Sequence, residues 1–339
     1  MKAVIMAGGE GRRLKCITGI LPKPLVPMLG RPMMEHILLL LKKHGFNEVC
    51  AAVKYRAEDI MDCFGSGTSL GIKLEYRIER EALGTAGGVK NCADFYGADD
   101  FLVISGDSAC DFDLARLMSA HLSSGAGVTI ALCRNAEPLS YGLAVTDAEG
   151  YIRSFIEKPS WPRVVTDFVN TGIYVISPRV MTHVPPGQPF DFGRDLFPLL
   201  LAQGESLRGE LMDGYWCDVG TPLSYYQCCI DALCGRLDIS PAPEFIAAGS
   251  VAAAGNDEAG GVICPCRDRA GLMGTLSELF IDMGADYSNG LHVTGRSFEM
   301  HIAPLTSRSA VRVAIESERE EFARELTSAA QELIRALDK

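Results

Sequence analysis

Lys2-Ala3-Val4-Ile5-Met6, running into Ala7-Gly8-Gly9-Glu10-Gly11-Arg12-Arg13-Leu14, is the stretch on which the fold turns. A short apolar run bounded by glycines reads as a buried strand. Glycines let the backbone take positive φ and bring its N–H groups close to an anion. Arg13, and Lys23 of Pro22-Lys23-Pro24-Leu25-Val26-Pro27, add positive charge that suits a triphosphate. The turn therefore reads as a seat for a nucleoside triphosphate. Gly9-Glu10-Gly11-Arg12-Arg13-Leu14 lacks the third glycine of the dinucleotide fingerprint, and no Gly-Lys-Ser/Thr follows, so it is not a Walker A loop either. An ordinary strand-to-helix connection stays open as the alternative on this segment alone.

Outward from this turn, apolar runs alternate with amphipathic segments to about residue 235, as in a mainly parallel α/β sheet. Met33, Met34, Ile37, Leu38 and Leu41 follow a helical period that Gly45 would end. Val49–Val53, Phe101–Ser105 and Val128–Leu132 read as buried strands. His121, on a helix between Asp111 and Ser123, reads as a packing residue and not as a ligand. Residues 236–261, rich in Ala, Gly and Pro, read as a linker. Within residues 262–339, Leu272, Leu276 and Leu279 suggest a helix. Leu291–Val293, Glu299–Ile302 and Ala310–Ile315 suggest strands, and Glu318–Leu337 a terminal amphipathic helix. No internal repeat stands out.

The bulk numbers narrow the function classes. A chain of 339 residues accommodates about two domains. A formal net charge of −11 argues against a nucleic-acid surface but not against a local basic pocket for a nucleotide. The sequence has no membrane-length apolar run and no signal-peptide pattern, so a cytoplasmic location is expected. The twelve cysteines are scattered, and the close pairs Cys228-Cys229 and Cys264-Pro265-Cys266 have no second pair at zinc spacing. They read as free thiols in a reducing compartment.

Four further motifs carry chemistry. In Glu81-Ala82-Leu83-Gly84-Thr85-Ala86-Gly87-Gly88, small residues would let a backbone edge lie against a flat base. Val103-Ile104-Ser105-Gly106-Asp107 ends an apolar strand in a carboxylate, at the edge where open α/β sheets collect ligands; a helix cap is the alternative. Glu157 and Lys158 of Phe155-Ile156-Glu157-Lys158-Pro159, with Asn170 of Val169-Asn170-Thr171-Gly172, offer groups for sugar hydroxyls and a monophosphate, or else an exposed ion pair beside a turn. Trp216-Cys217-Asp218-Val219-Gly220-Thr221-Pro222 supplies a second carboxylate. Two carboxylates suit Mg²⁺, which fills its octahedron with water and phosphate oxygens.

Together, in this order and spacing, these motifs resemble the sugar-1-phosphate nucleotidyltransferase family, the nucleotide-sugar pyrophosphorylases. Gly30-Arg31-Pro32-Met33-Met34-Glu35-His36, Cys110-Asp111-Phe112-Asp113-Leu114 and Phe155-Ile156-Glu157-Lys158-Pro159-Ser160-Trp161 are most similar to its mannose-1-phosphate guanylyltransferase branch. Pro189-Phe190-Asp191-Phe192 and Asp213-Gly214-Tyr215-Trp216 add to this. The resemblance implies a Rossmann-like, mainly parallel nucleotidyltransferase domain over residues 1–235, with a small C-terminal α+β domain over 262–339. It implies attack by a sugar 1-phosphate on the α-phosphate of GTP, giving GDP-mannose and pyrophosphate with Mg²⁺ as cofactor. It assigns Gly8, Gly9 and Gly11 to the glycine loop, Arg13 and Lys23 to the phosphates, and Gly84, Thr85 and Ala86 to the base. Asp107 and Asp218 fall to the metal, with Asp107 also catalytic, and Glu157, Lys158 and Asn170 to the sugar phosphate.

One departure stands out. The family pattern Gly-x-Gly-Thr-Arg-Leu carries Arg12 in place of threonine here, adding bulk and charge beside the triphosphate. Residues 262–339 also resemble the last domain of a phosphohexomutase, through Asn289–Val293, His301–Pro304, Val311–Val313 and the terminal helix. In that resemblance the phosphate loop is degenerate, reading Ala303-Pro304-Leu305-Thr306-Ser307-Arg308-Ser309. A structural or oligomerisation role is the expectation for this segment, with sugar-phosphate sensing through Thr306, Ser307 and Arg308 as the lesser one. Two other readings of the whole chain stay open. One is a glucose-1-phosphate thymidylyl- or uridylyltransferase; the other is a non-catalytic regulatory protein that binds nucleotide-sugar. The expected partners are small-molecule substrates and, through the C-terminal segment, copies of the chain; no nucleic acid and no membrane are expected.

Overall fold

The computed structural model describes residues 1–14, 20–233, 236–239, 262–265, 273, 291–294, 299–304, 310–316, 327, 330, 331 and 334. It divides into two compact units, Met1–Pro27 with Pro32–Asp218, and Met28–Arg31 with Val219–Lys339.

The first unit is built on a nine-stranded sheet. Its strands are β1 (Lys2–Ala7), β2 (Glu48–Val53), β3 (Lys73–Ile78) and β4 (Phe101–Ser105), then β6 (Val128–Arg134), β7 (Gly142–Thr146), β8 (Ile152–Glu157), β9 (Phe168–Ile176) and β10 (Leu207–Leu211). Strand β5 (Ser108–Cys110) pairs outside this sheet with β11 (Trp216–Asp218). The main path runs β8-β7-β9-β4-β1-β2-β3, and β6 pairs with β9 and β10. The four strands β3-β2-β1-β4 are parallel throughout, with Ala3 facing Val49 on one side and Leu102 on the other. The order reverses at β1, so the carboxyl ends of β1 and β4 open a crevice at a topological switch point. Beyond β4 the long strand β9 runs antiparallel to β4, β6 and β7, while β6 and β10 are parallel. Apolar runs announce these strands; their direction depends on connections that periodicity does not encode.

Burial on both faces explains the apolar continuity of β1. Ala3, Ile5 and Ala7 pack into one core cluster, with Phe46, Phe112 and Leu38, and Val4 packs into the opposite one, with Phe101, Phe192 and Phe197. Helix α1 (Met33–Lys43) buries Met33, Met34, Ile37, Leu38, Leu40 and Leu41. Each large apolar side chain so buried contributes about 2 kcal/mol. The helix ends where expected, with Gly45 at φ +81°. The other α-helices among the described residues of this unit are α2 (Ala57–Phe64), α3 (Gly84–Lys90), α4 (Ala93–Tyr96), α5 (Leu114–Ser124) and α6 (Phe197–Ala202). Asp113 caps α5, accepting from Arg116 N–H at 2.9 Å.

In the second unit, α7 (Pro222–Leu233) precedes an antiparallel four-stranded sheet. Its strands are β12 (Val262–Pro265), β13 (Leu291–Thr294), β14 (Glu299–Pro304) and β15 (Ala310–Glu316), in the order β12-β15-β14-β13. The three strands read from sequence are thus present, and Val262–Pro265 adds a fourth. Of the terminal helix, residues 327, 330, 331 and 334 are described, and all four are helical. Leu272, Leu276 and Leu279, the bulk of the linker, Cys16, Cys234, Cys266 and the 305–309 loop lie outside the described residues.

Candidate active site

The crevice at the ends of β1 and β4 is assembled by two close backbone approaches. Gly106 N–H donates to Met6 O at 2.8 Å, and a Cβ at Gly106 would lie 2.9 Å from that oxygen. Only glycine lets β4 turn there, and the turn delivers Asp107. The next residue, Ser108, is paired with Asp218 in the β5–β11 ladder. That pairing brings together two carboxylates 111 positions apart in the sequence. Helix α5 has its own cap in Asp113, so Asp107 is not a helix cap.

Lys23 stands between the two carboxylates. Its ammonium lies 2.6 Å from Asp107 Oδ2 and 3.8 Å from Asp218 Oδ1. Its side chain is 9% exposed, whereas about a third of each aspartate side chain is exposed. Desolvation alone would raise Asp107, but the charge and hydrogen bond of Lys23, with the Ser105 hydroxyl, hold its carboxyl below the usual range. Asp218 goes the other way: desolvation and then the charge of Asp107 push it up, against Lys23, Arg13 and Lys158. One ammonium thus offsets one carboxylate and leaves the other short of positive charge. Two hard oxygen donors in that state fit a divalent cation such as Mg²⁺. Among the described residues no group of three or more His, Cys, Asp or Glu side chains is placed to hold a metal ion.

A cleft of about 900 Å³ opens beside Asp107. Gly8, Gly9, Gly11, Gly84 and Thr85 line it, as the motifs predict. The three loop glycines serve different ends. Gly11 takes φ +61° against the Lys23 stem; a Cβ at Gly8 would lie 3.4 Å from Glu79 Oε1; Gly9 faces open space. Arg12 also lines the cleft, but its side chain is 83% exposed and its Nε pairs with Glu10 Oε2 at 2.6 Å. Arg13 is exposed and acts electrostatically on Asp218 and Tyr141. Ala86 is fully buried, packed in the core cluster of Val89 and Cys92, so its side chain does not face the cleft.

The sugar-phosphate candidates sit at the ends of β8 and β9. Burial raises the Glu157 carboxyl, Asp191 adds to this, and Lys158 and Arg194 oppose it. Gly142 and Gly193 make room for Glu157: a Cβ at either would fall within 2.8 Å of its Oε2. Lys158 has φ +41°, a costly conformation for a side-chain-bearing residue, and its N–H donates to Tyr141 O at 3.1 Å. Asn170 is engaged within a bulge of β9, accepting from Gly172 N–H and donating to Tyr174 Oη, each at 3.0 Å. Sequence reasoning missed Lys54, Arg56, Glu79, Arg80 and Asp191, which also line the cleft. Lys54 and Glu79 directly follow the carboxyl ends of β2 and β3, so the rule that singled out Asp107 could have found them.

Elsewhere, His121 is a satisfied core residue: Nδ1 lies 2.9 Å from Thr129 Oγ1 and Nε2 3.1 Å from Ser177 Oγ. All nine described cysteines are free thiols, and only Cys63 among them is exposed. No helix among the described residues is long and apolar enough to cross a membrane.

Comparison with known proteins agrees with this geometry. The family model described as nucleotidyl transferase matches residues 2–233. The chain is 38% identical over 240 residues to a UTP–glucose-1-phosphate uridylyltransferase of Synechocystis, covering 67% of this chain and 62% of that protein. It is 36% identical over 242 residues to a mannose-1-phosphate guanylyltransferase of Mycobacterium tuberculosis, covering 71% and 66%. The chain thus spans less than two thirds of the length of these relatives. Among solved structures, HddC from Yersinia pseudotuberculosis complexed with GMP-PN superposes with a TM-score of 0.59 at 28% identity, over 68% of this chain and 99% of that one. A Bacillus anthracis protein in complex with sucrose superposes with a TM-score of 0.64 at 27% identity, over 73% and 99%. The phosphohexomutase resemblance of residues 262–339 lies beyond the end of the family match at residue 233.

Proposed function

The chain belongs to the nucleotidyl transferase family, and we propose that it joins a nucleoside triphosphate to a sugar 1-phosphate, with GTP and mannose 1-phosphate as the pair. A phosphate oxygen of the sugar 1-phosphate forms a bond to the α-phosphorus; the bond from that phosphorus to the β-phosphate bridging oxygen breaks; pyrophosphate leaves. The attacking oxygen is already anionic, so no side chain has to remove a proton. The protein's part is positioning and charge neutralisation. The observation that carries this reading is the pair Asp107 and Asp218 on one ammonium, at the switch point, beside a glycine loop.

In this reading the backbone of Gly8, Gly9 and Gly11 cradles the triphosphate, with Arg13 and Lys23 answering its charge. Asp107 and Asp218 hold Mg²⁺, which when bound supplies charge neutralisation on the phosphate oxygens. Gly84 and Thr85 present a backbone edge to the base. Glu157, Lys158 and, after giving up a bond in its bulge, Asn170 take the sugar phosphate. Residues 1–235 form the catalytic domain, and residues 262–339 a structural or oligomerisation domain. The free thiols suit a reducing, cytoplasmic setting.

Uridylyl transfer to glucose 1-phosphate is the second reading, favoured by the name of the 38%-identical relative. Pyrophosphate release over a grid of four nucleoside triphosphates and several sugar 1-phosphates tests both. The proposal expects the fastest release with GTP and mannose 1-phosphate. A UTP and glucose 1-phosphate optimum replaces it with the second reading, and silence across the grid with tight nucleotide-sugar binding identifies a sensor.

A further inference from the structure

Helix α3 begins after Leu83, which has no side chain that can cap it. The missing acceptor comes from 106 positions away in the sequence. Asp191 Oδ1 accepts from Thr85 N–H at 3.1 Å and from Thr85 Oγ1–H at 3.2 Å. Phe192 N–H donates to Thr85 Oγ1 at 2.9 Å. Two backbone bonds flank these, Phe190 N–H to Leu83 O at 2.8 Å and Gly87 N–H to Phe190 O at 2.9 Å. Contact is close enough that a Cβ at Gly84 would lie 2.8 Å from Phe190 O. Asp191 is itself held: its Oδ2 pairs with Arg194, and its N–H donates to Asp195 Oδ2 at 2.8 Å. Both its carboxylate oxygens are therefore engaged within the protein, although the residue lines the cleft beside Gly84 and Thr85.

We propose that Asp191 is a positioning residue for the nucleotide half of the site. It acts through Thr85, fixing the first turn of α3 so that the backbone edge at Gly84 and Thr85 is set before nucleotide arrives. A short, glycine-rich helix start has little conformational preference of its own, and a charge-assisted acceptor on its free N–H supplies the constraint. This inference rests on the reading that Gly84 and Thr85 contact the nucleotide.

The test uses the full chain, with KM measured separately for the best nucleotide and for the sugar 1-phosphate. Asp191→Ala should raise the nucleotide KM about tenfold, equivalent to about 1.4 kcal/mol, and leave the sugar 1-phosphate KM within about twofold. Asp191→Asn, which keeps the Oδ1 acceptor, should recover most of the nucleotide affinity. Thr85→Val, which keeps the backbone N–H bond to Asp191 and loses only the hydroxyl bonds to Asp191 and Phe192, should raise the nucleotide KM less than Asp191→Ala does. An unchanged nucleotide KM in Asp191→Ala overturns the inference. So does an equal rise in both KM values with a large fall in Tm, which marks a general brace. If Asp191→Ala does not fold, Asp191→Glu, which displaces the acceptor from Thr85 N–H by one methylene and keeps the charge, decides: a selective rise in nucleotide KM supports the inference, and none overturns it. Wild-type protein that neither binds nor turns over any nucleotide removes the nucleotidyltransferase reading and this inference with it. Normal wild-type turnover with a flat Asp191→Ala response removes this inference alone.

Discussion

Arg12 stands where the family pattern has threonine, and its environment decides what that substitution does. Its guanidinium is raised above its ordinary value by the hydrogen bond and charge of Glu10, and it projects into solvent beside the glycine loop. A pair this exposed is screened by water and contributes little to stability. Arg12 therefore neither crowds the Lys23 ammonium nor supplies the buried charge at the carboxylates. Arg12→Thr is expected to leave Tm unchanged and the rate of pyrophosphate release within about twofold of the parent, as befits an exposed pair. A tenfold change in either direction, measured at saturating substrates, would place Arg12 on the phosphates after all. Lys23 is the opposite case: the same charge type, buried between two carboxylates.

At the scale of elements, α5 and its neighbours show how a polar residue enters the core without a functional role. His121 faces inward from α5 and finds hydroxyls from Thr129 on β6 and Ser177 just after β9. Burial lowers its pKa, Asp100 raises it, and Arg179 lowers it further, with a net downward shift. The imidazole therefore binds a proton less readily in the folded chain than in the unfolded one, where it titrates near 6.5. Below that value the unfolded state binds the proton first, so stability rises with pH up to about 6.5 and is lost as pH falls through it. A Tm series from pH 7.5 to 5 should show this decline, and His121→Gln, which cannot protonate, should flatten it. An identical slope in both proteins would assign the acid sensitivity to other groups.

Across the whole molecule, legibility followed the range of the interactions. Strands β2, β4 and β6 and helix α1 were readable because their burial is written in local periodicity. The antiparallel course of β9 was not, because direction depends on how distant connections return to the sheet. In the site, Asp107 and the glycine loop were legible from their place at strand ends. The hold of Asp191 on Thr85 was not, because only the folded chain brings residues 85 and 191 together. The same holds for the counter-ion role of Lys23, which the Pro-Lys-Pro motif suggests only as a phosphate contact. The central proposal joins these scales: the β5–β11 ladder brings Asp107 and Asp218 together, and we propose this pair as the reaction centre. The most direct measurement is the steady-state rate of pyrophosphate release by Asp107→Asn and Asp218→Asn, with circular dichroism and Tm as controls for folding. Each variant should retain its fold and lose at least about a hundredfold in kcat, as expected when a charge that stabilises phosphoryl transfer is removed. Near-parental rates in both variants would contradict the account.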